Sequence, residues 1–136
     1  MSGETDLDRL IAGMEPALHP EIFVFVTLRG QPMPTGLTPR MVFEEDEGRT
    51  LILTRAQAET HGLGFEFPCR MITLNVHSAL QAVGFIARIA TALAAEGMGV
   101  NPVAGYFHDH LFVPEDRAAD AMAILRALAE DRASRG

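Results

Sequence analysis

The sequence contains no lysine and no tryptophan, and it has one cysteine and one tyrosine. A phosphate-binding loop of the GxxxxGK[ST] type needs a lysine to reach the phosphates, so that route to nucleotide hydrolysis is excluded. The formal net charge is -7, and the 11 positive side chains, all arginine, are scattered along 136 residues. No basic stripe is available to neutralise a phosphate backbone, so we expect no binding to nucleic acid.

Secretion and membrane insertion are also disfavoured. The only cysteine, Cys69, has no partner for an internal disulfide, and the first residues lack the basic and then apolar pattern of a secretory signal. No apolar run approaches the roughly 20 residues that cross a bilayer. We therefore expect a cytoplasmic protein without a membrane association, in which Cys69 is a small buried hydrophobe and not a reactive thiol.

The first half of the chain reads as strands with short helices. Asp6 is placed to cap a helix that cannot continue past Pro16. The apolar, β-branched and aromatic run at 21–28 predicts a buried strand. Apolar triplets on either side of an acidic turn ending at Gly48 predict a hairpin, and Thr54 with Gln57 three residues later indicates a capping box. The acidic turn is interpreted as a solvated hairpin tip.

The second half reads as strand, helix, strand, strand, helix. Residues 72–76 alternate between apolar and polar, and residues 80–93 repeat at helical spacing until Gly97. Two strands at 100–105 and 109–113 precede a last helix, and a final strand is missing or supplied elsewhere. Helices on one side of a mostly antiparallel sheet predict an α+β, ferredoxin-like fold. With 48% hydrophobic residues, one compact body made of two small halves is expected.

The strand-to-helix loop of the second half is the strongest binding feature. Free N–H groups and the positive end of the dipole at a helix N-terminus attract a carboxylate, and Gly84 would let a ligand approach bare backbone. Two structural alternatives remain open. Ser78 could simply cap the helix, and Gly84 could exist only for close packing against the sheet.

The histidines allow a second hypothesis. His108 and His110 are spaced to share one side of a strand, and together with His77 they could bind a metal. We favour a structural role in which Asp109 orients a histidine or caps the turn. Ser78 is not expected to be a nucleophile activated by His77, because adjacent residues on a strand point to opposite faces. His19 and His61 are interpreted as solvated.

Four segments carry a resemblance to a known family. They are His77-Ser78 at a strand end, Val83-Gly84-Phe85 at a helix start, residues 97–101 and residues 110–113. Together they resemble the ACT domain, a βαββαβ module that binds amino acids and regulates enzymes. The pattern looks like short bacterial proteins of two tandem ACT units, which are similar to the cytosolic arginine sensors of animals. The implied division is 1–67, an N-terminal helix plus a degenerate ACT-like half, and 68–136, an ACT domain.

The resemblance implies a regulatory protein that binds a free amino acid without catalysis or a cofactor. A sheet face left bare by such a two-layer fold must be covered, and a second copy of the chain is the simplest cover, so we also expect a homodimer. Residues 77–86 would hold the ligand, with Asn101 and residues 103–105 closing the site. The implied ligand-binding residues are His77, Ser78, Val83, Gly84, Phe85, Ile86, Asn101, Val103, Ala104 and Gly105. Two alternatives are a protein–protein interaction module without a small ligand and a metal-dependent enzyme using the histidines.

Overall fold

A computed structural model describes residues 6–135. Its elements, in chain order, are α1 Leu7–Gly13, β1 Pro16–Thr27, β2 Met41–Glu45, β3 Gly48–Thr54, α2 Arg55–Thr60, β4 Glu66–Leu74, α3 Phe85–Ala94, β5 Asn101–Ala104, β6 Asp109–Pro114, a one-turn 3₁₀ helix Glu115–Arg117 and α4 Ala118–Arg135. No helix in this part of the chain is long and apolar enough to cross a membrane.

The chain divides into two compact units, one inserted into the sequence of the other. Residues 20–69 form the inserted unit, and the described residues 6–19 and 70–135 form the host unit. The long strands β1 and β4 each contribute to both units. Each unit therefore has its own sheet order, its own helices and its own core.

In the inserted unit the strand order is β2-β3-β1-β4. β2 and β3 form the predicted hairpin, in which Met41 pairs with Ile52 and Glu45 with Gly48. Thr54 is the N-cap of α2, as predicted, and its hydroxyl accepts a hydrogen bond from the Gln57 N–H at 3.3 Å. The reciprocal half of a capping box is not formed, because the Gln57 side chain bonds to the Thr54 hydroxyl and to the Thr38 N–H. The core of this unit consists of Val24, Val26, Leu28, Leu51, Leu53 and Ala58.

In the host unit the strand order is β1-β4-β6-β5. β5 and β6 pair antiparallel, with Asn101 opposite Phe112 and Ala104 opposite Asp109. The first residues of β1, 16–19, belong to this unit. They supply the strand that the second half of the sequence lacks.

Amphipathic elements build the core of the host unit. The apolar side chains of β4 and β6 that alternate onto one face meet the apolar stripes of α1, α3 and α4. The buried members of this cluster are Leu10, Ile11, Met14, Ile72, Leu74, Phe85, Ile89, Leu93, Met98, Leu111, Val113, Ala118, Ala121, Met122, Leu125 and Ala129. This packing holds the start of α3 and the β5–β6 turn in fixed positions.

The environment of Cys69 agrees with its predicted structural role. The side chain is fully buried, and its thiol donates a weak hydrogen bond to the Phe23 carbonyl at 3.3 Å. Burial raises the pKa of the Cys69 thiol to about 12. Since the thiolate is the reactive form, this residue is an inert part of the fold near neutral pH.

Two sequence predictions in the host unit were wrong. The helix does not begin at Leu80: residues 75–84 are irregular, and α3 begins at Phe85. Gly84, not Ser78, is the N-cap, and its φ of 87° cannot be continued into a right-handed helix. His19 is not near a helix end but lies half-buried in β1, where it hydrogen-bonds with Thr73.

Candidate ligand-binding site

A cavity of about 200 Å³ lies in the host unit, between the segment that leads into α3 and the β5–β6 turn. Its lining combines the first turn of α3 with small side chains and one carboxylate. The lining residues are Ser78, Ala79, Leu80, Ala82, Gly84, Phe85, Ile86, Ala87, Ala104, Gly105 and Asp109. The volume lies below the roughly 300–1,000 Å³ of pockets for drug-sized ligands, so this cavity fits a small molecule.

One wall of the cavity is the N-terminus of α3. Gly84 is the N-cap and has no side chain to cap the helix, so no side-chain hydrogen bond satisfies the N–H groups of the first turn. These groups carry the positive end of the helix dipole. Gly84, Phe85 and Ile86 all line the cavity. The wall is therefore suited to a carboxylate or another small anion.

The cavity lining also includes Asp109, the first residue of β6. This side chain is only 9% exposed, and its Oδ2 accepts a hydrogen bond from the Ser78 hydroxyl at 3.2 Å. Burial raises the pKa of the Asp109 carboxyl, while the Ser78 hydrogen bond and the charges of His110 and His108 act in the opposite direction. A desolvated carboxylate beside a cavity favours a cation or a hydrogen-bond donor as its neighbour.

A chain of side-chain hydrogen bonds lies behind Asp109. The buried Thr73 hydroxyl hydrogen-bonds with Nε2 of His19 and with Nδ1 of His110, both at 2.9 Å. A hydroxyl has one proton, so at least one imidazole donates to it. A Cβ on Gly105 would lie 2.8 Å from the His108 carbonyl and 3.2 Å from His110 Nε2. The cavity wall at this point thus requires glycine.

Exposed apolar side chains lie in the two segments that contribute to the cavity, residues 77–83 and the β5–β6 turn. Leu80 is 66% exposed, Tyr106 65% and Phe107 61%. The Phe107 ring contacts the Tyr106 ring at 4.9 Å between centroids and the His77 ring at 5.5 Å. These four residues, together with Val83, form what we call the aromatic rim.

The cavity brings together only some of the residues that the sequence indicated. Ser78, Gly84, Phe85, Ile86, Ala104 and Gly105 line it. His77 packs on Phe107 instead, Val83 is 83% exposed, and neither Asn101 nor Val103 belongs to the lining.

Sequence reasoning missed the most polar lining residue. Asp109 was interpreted as a structural residue of the hairpin, yet it faces the cavity. Its position as the first residue of β6, directly opposite Ala104, is the signal that could have placed it beside residues 104 and 105.

The three histidines of the metal hypothesis have other contacts. Nδ1 of His108 lies 3.4 Å from the Val76 carbonyl, and His110 bonds with Thr73. Over residues 6–135, no group of three or more His, Cys, Asp or Glu side chains is placed to hold a metal ion. The metal-enzyme alternative therefore lacks geometric support in this part of the chain.

Comparison with known proteins agrees with this architecture. Two ACT-domain family models match the chain, one at residues 2–70 and one at residues 66–127. No curated protein matches the sequence.

Solved structures show the same fold. A protein of unknown function from Vibrio cholerae, described as a possible transport protein, is 39% identical over 94% of this chain and 99% of its own, with a TM-score of 0.81. A protein from Agrobacterium tumefaciens shares 13% identity over 85% of this chain and 89% of its own, at a TM-score of 0.72. The ligand-free regulatory subunit of aspartate kinase from Thermus thermophilus shares 11% identity, at a TM-score of 0.61, over 83% of this chain and 95% of its own. The chain belongs to the ACT-domain family, as a tandem pair of ACT domains with a ferredoxin-like α+β fold.

Proposed function

We propose that this protein is an amino-acid-binding regulatory protein that acts through ligand binding, without catalysis. The family and the aspartate kinase neighbours support a regulatory role through ligand binding. The observation that carries the proposal is the cavity at the uncapped N-terminus of α3. A free amino acid always presents a carboxylate, which is the group that this helix end is suited to bind.

The ligand carboxylate would accept hydrogen bonds from the first N–H groups of α3. Gly84 allows the approach because no side chain stands between the ligand and the backbone. Ser78 and the backbone around Gly105 would complete the enclosure. His77, Val83, Asn101 and Val103 would shape the surroundings of the cavity.

A thermal-shift and calorimetric screen of the full chain against each free amino acid tests this proposal. A ligand at 100 times its dissociation constant stabilises the folded state by about 2.7 kcal/mol, which moves the melting temperature by several degrees. Selective shifts would support the sensor hypothesis. A flat response over the whole panel would contradict it and favour the interaction module.

A matched pair of α3 variants shows whether binding occurs at this cavity. Ala87 lines the cavity and is exposed, so Ala87→Leu would fill the space with little disturbance of the core. Ala94, the last residue of α3, is also exposed but does not line it. We expect Ala87→Leu to abolish the shift and Ala94→Leu to leave it unchanged. Equal responses would place the ligand elsewhere.

Homodimerisation is a separate part of the proposal. Large exposed apolar side chains favour association, and the aromatic rim is such a group. Phe107 is 61% exposed in the host unit and Phe43 is 62% exposed in the inserted unit, which makes them matched probes. If the rim pairs two copies, light scattering should detect monomers for Phe107→Ser and dimers for Phe43→Ser. A monomeric wild type would contradict the dimer.

The remaining expectations belong to the same proposal. We expect the protein to act in the cytoplasm, and we place the boundary between its two ACT units at residues 67 and 68. Expressing residues 68–136 alone would test that boundary. The host unit also uses residues 16–19, so we expect this fragment to be less stable than the full chain.

A further inference from the structure

We propose that Asp109 recognises the ammonium group of the bound amino acid, and that the ligand class is amino acids with a small, uncharged side chain. This inference rests on the proposed function and adds a specificity-determining residue and a chemical class to it. The carrying observation is that a buried aspartate, Asp109, lines the same cavity as the uncapped start of α3.

The charges of the lining favour a neutral zwitterion. Among the described residues that line the cavity, Asp109 is the only ionisable one. The α3 N-terminus, with a partial positive charge, matches the ligand's carboxylate, and Asp109 matches its ammonium. A cationic side chain would compete with the ammonium for Asp109, and an acidic side chain would meet no positive side chain on the lining. Burying either charge without a partner is costly.

The shape of the lining favours a short side chain. Four of the lining residues are alanines and two are glycines, so few large side chains project into the cavity. Its volume is nevertheless only about 200 Å³. Ile86 lines the cavity and is half-buried, so it offers apolar surface to a methyl or similar group. A long side chain would have to leave through the mouth.

The hydrogen bonding of Asp109 leaves capacity for the ligand. Ser78 donates one hydrogen bond to Oδ2, whereas an ionised carboxylate accepts about four. The Ser78 bond also fixes the orientation of the carboxylate before the ligand arrives. An ammonium group would therefore find a pre-oriented and buried acceptor, and hydrogen bonds between two charged groups are strong.

Titration calorimetry with matched ligands tests both parts. Lactate keeps the carboxylate of alanine but lacks its ammonium group, and ethylamine keeps an ammonium group but lacks the carboxylate. Arginine and glutamate test ligands with a charged side chain. We expect the wild type to bind alanine at least about tenfold more tightly than lactate, because a hydrogen bond to a charged group contributes about 1.5–3 kcal/mol. Asp109→Asn should weaken the binding of alanine and remove the difference in affinity between alanine and lactate. Asp120→Asn, an exposed change in α4, is the control.

Each outcome decides one question. If the wild type binds arginine or glutamate more tightly than alanine, the small neutral class is wrong while the proposed function stands. If folded Asp109→Asn, checked by circular dichroism, binds alanine as the wild type does, Asp109 is not the ammonium site. If no amino acid binds the wild type, the proposed function fails, and this inference fails with it.

Discussion

The Ser78 hydroxyl donates a hydrogen bond to the Asp109 carboxylate over 3.2 Å, although 31 residues separate them in the sequence. Both side chains are at most 9% exposed. The pair joins the segment before α3 to the first residue of β6, and the cavity lies beside it. The environment of the candidate site therefore depends on this contact.

Removing the donor should destabilise the protein. In Ser78→Ala the buried Asp109 carboxylate loses its hydrogen-bond donor, which costs about 1–3 kcal/mol. We expect the free energy of unfolding in urea to fall by that amount. Ser134→Ala is the matched control, because the Ser134 hydroxyl bonds only to exposed backbone carbonyls of α4 and should change stability by less than about 0.5 kcal/mol. Equal effects would show that the Ser78 bond contributes nothing specific.

The raised pKa of Asp109 predicts a pH dependence with a definite sign. Burial raises the pKa of this carboxyl, so the folded state holds its proton more tightly than the unfolded state. By linkage, the contribution of Asp109 to stability falls as pH rises from the ordinary aspartate pKa, about 3.9, through the raised folded pKa, and is then constant. Without ligand, the stability of Asp109→Asn relative to wild type should therefore rise with pH across this window.

Chemical denaturation at several pH values between 3.5 and 8, on the order of half a unit apart, measures this difference. Asp46→Asn, a change at the exposed tip of the hairpin in the inserted unit, serves as the control for the loss of one carboxylate from the chain. A difference that stays constant or falls with pH would contradict the predicted direction.

Two glycines should respond oppositely to the same substitution. Gly84 has a φ of 87°, so Gly84→Ala forces an L-residue into the left-handed region at a cost of about 1–2 kcal/mol. The space itself is adequate, since the new Cβ would lie 3.6 Å from Leu7. Gly13 ends α1 without a positive φ, and its Cβ would lie 3.7 Å from Val76. Gly13→Ala should therefore be neutral or stabilising by up to about 1 kcal/mol.

Thermal and urea denaturation of the two variants measure these effects. Because both changes add one methyl group, the difference between them isolates the backbone conformation. Equal losses of stability would contradict the strain that we assign to Gly84.

Thr73→Val should remove the hydrogen bonds that join His19 and His110 to the Thr73 hydroxyl. The buried hydroxyl bonds with both His19 and His110 at 2.9 Å, and valine keeps the shape without the polar atom. We expect a loss of about 1–3 kcal/mol, since two half-buried imidazoles would each lose one hydrogen bond. In NMR spectra, the ring resonances of both histidines should shift. Thr91→Val, on the exposed side of α3, should shift neither ring.

Local patterns in the sequence determined much of the fold. The helix caps at Asp6 and Thr54, and the hairpin turn between Glu45 and Gly48, depend on contacts within three to five residues. The alternation of Ile72 and Leu74, and the helical spacing in α4, also indicate the buried face of each element without any partner being known. These signals are local, so they were sufficient for the α+β class.

The start of α3 shows where local patterns mislead. Residues 80–83 continue the helical spacing, yet the chain stays irregular until Gly84 adopts its left-handed conformation. The Ser78 hydroxyl donates its hydrogen bond across the unit to Asp109, and helical spacing in the sequence gives no sign of such a contact between distant residues.

The sequence by itself determined the ACT-type elements, the expected binding loop and the absence of lysine that excludes a phosphate loop of the GK[ST] type. Only the tertiary structure decided which residues meet in the cavity, that residues 16–19 complete the host sheet, and that Asp109 is buried beside the cavity. These facts arise from contacts between residues far apart in the chain. Burial, and the pKa that burial raises, depend on everything packed around a group, and no local pattern records that.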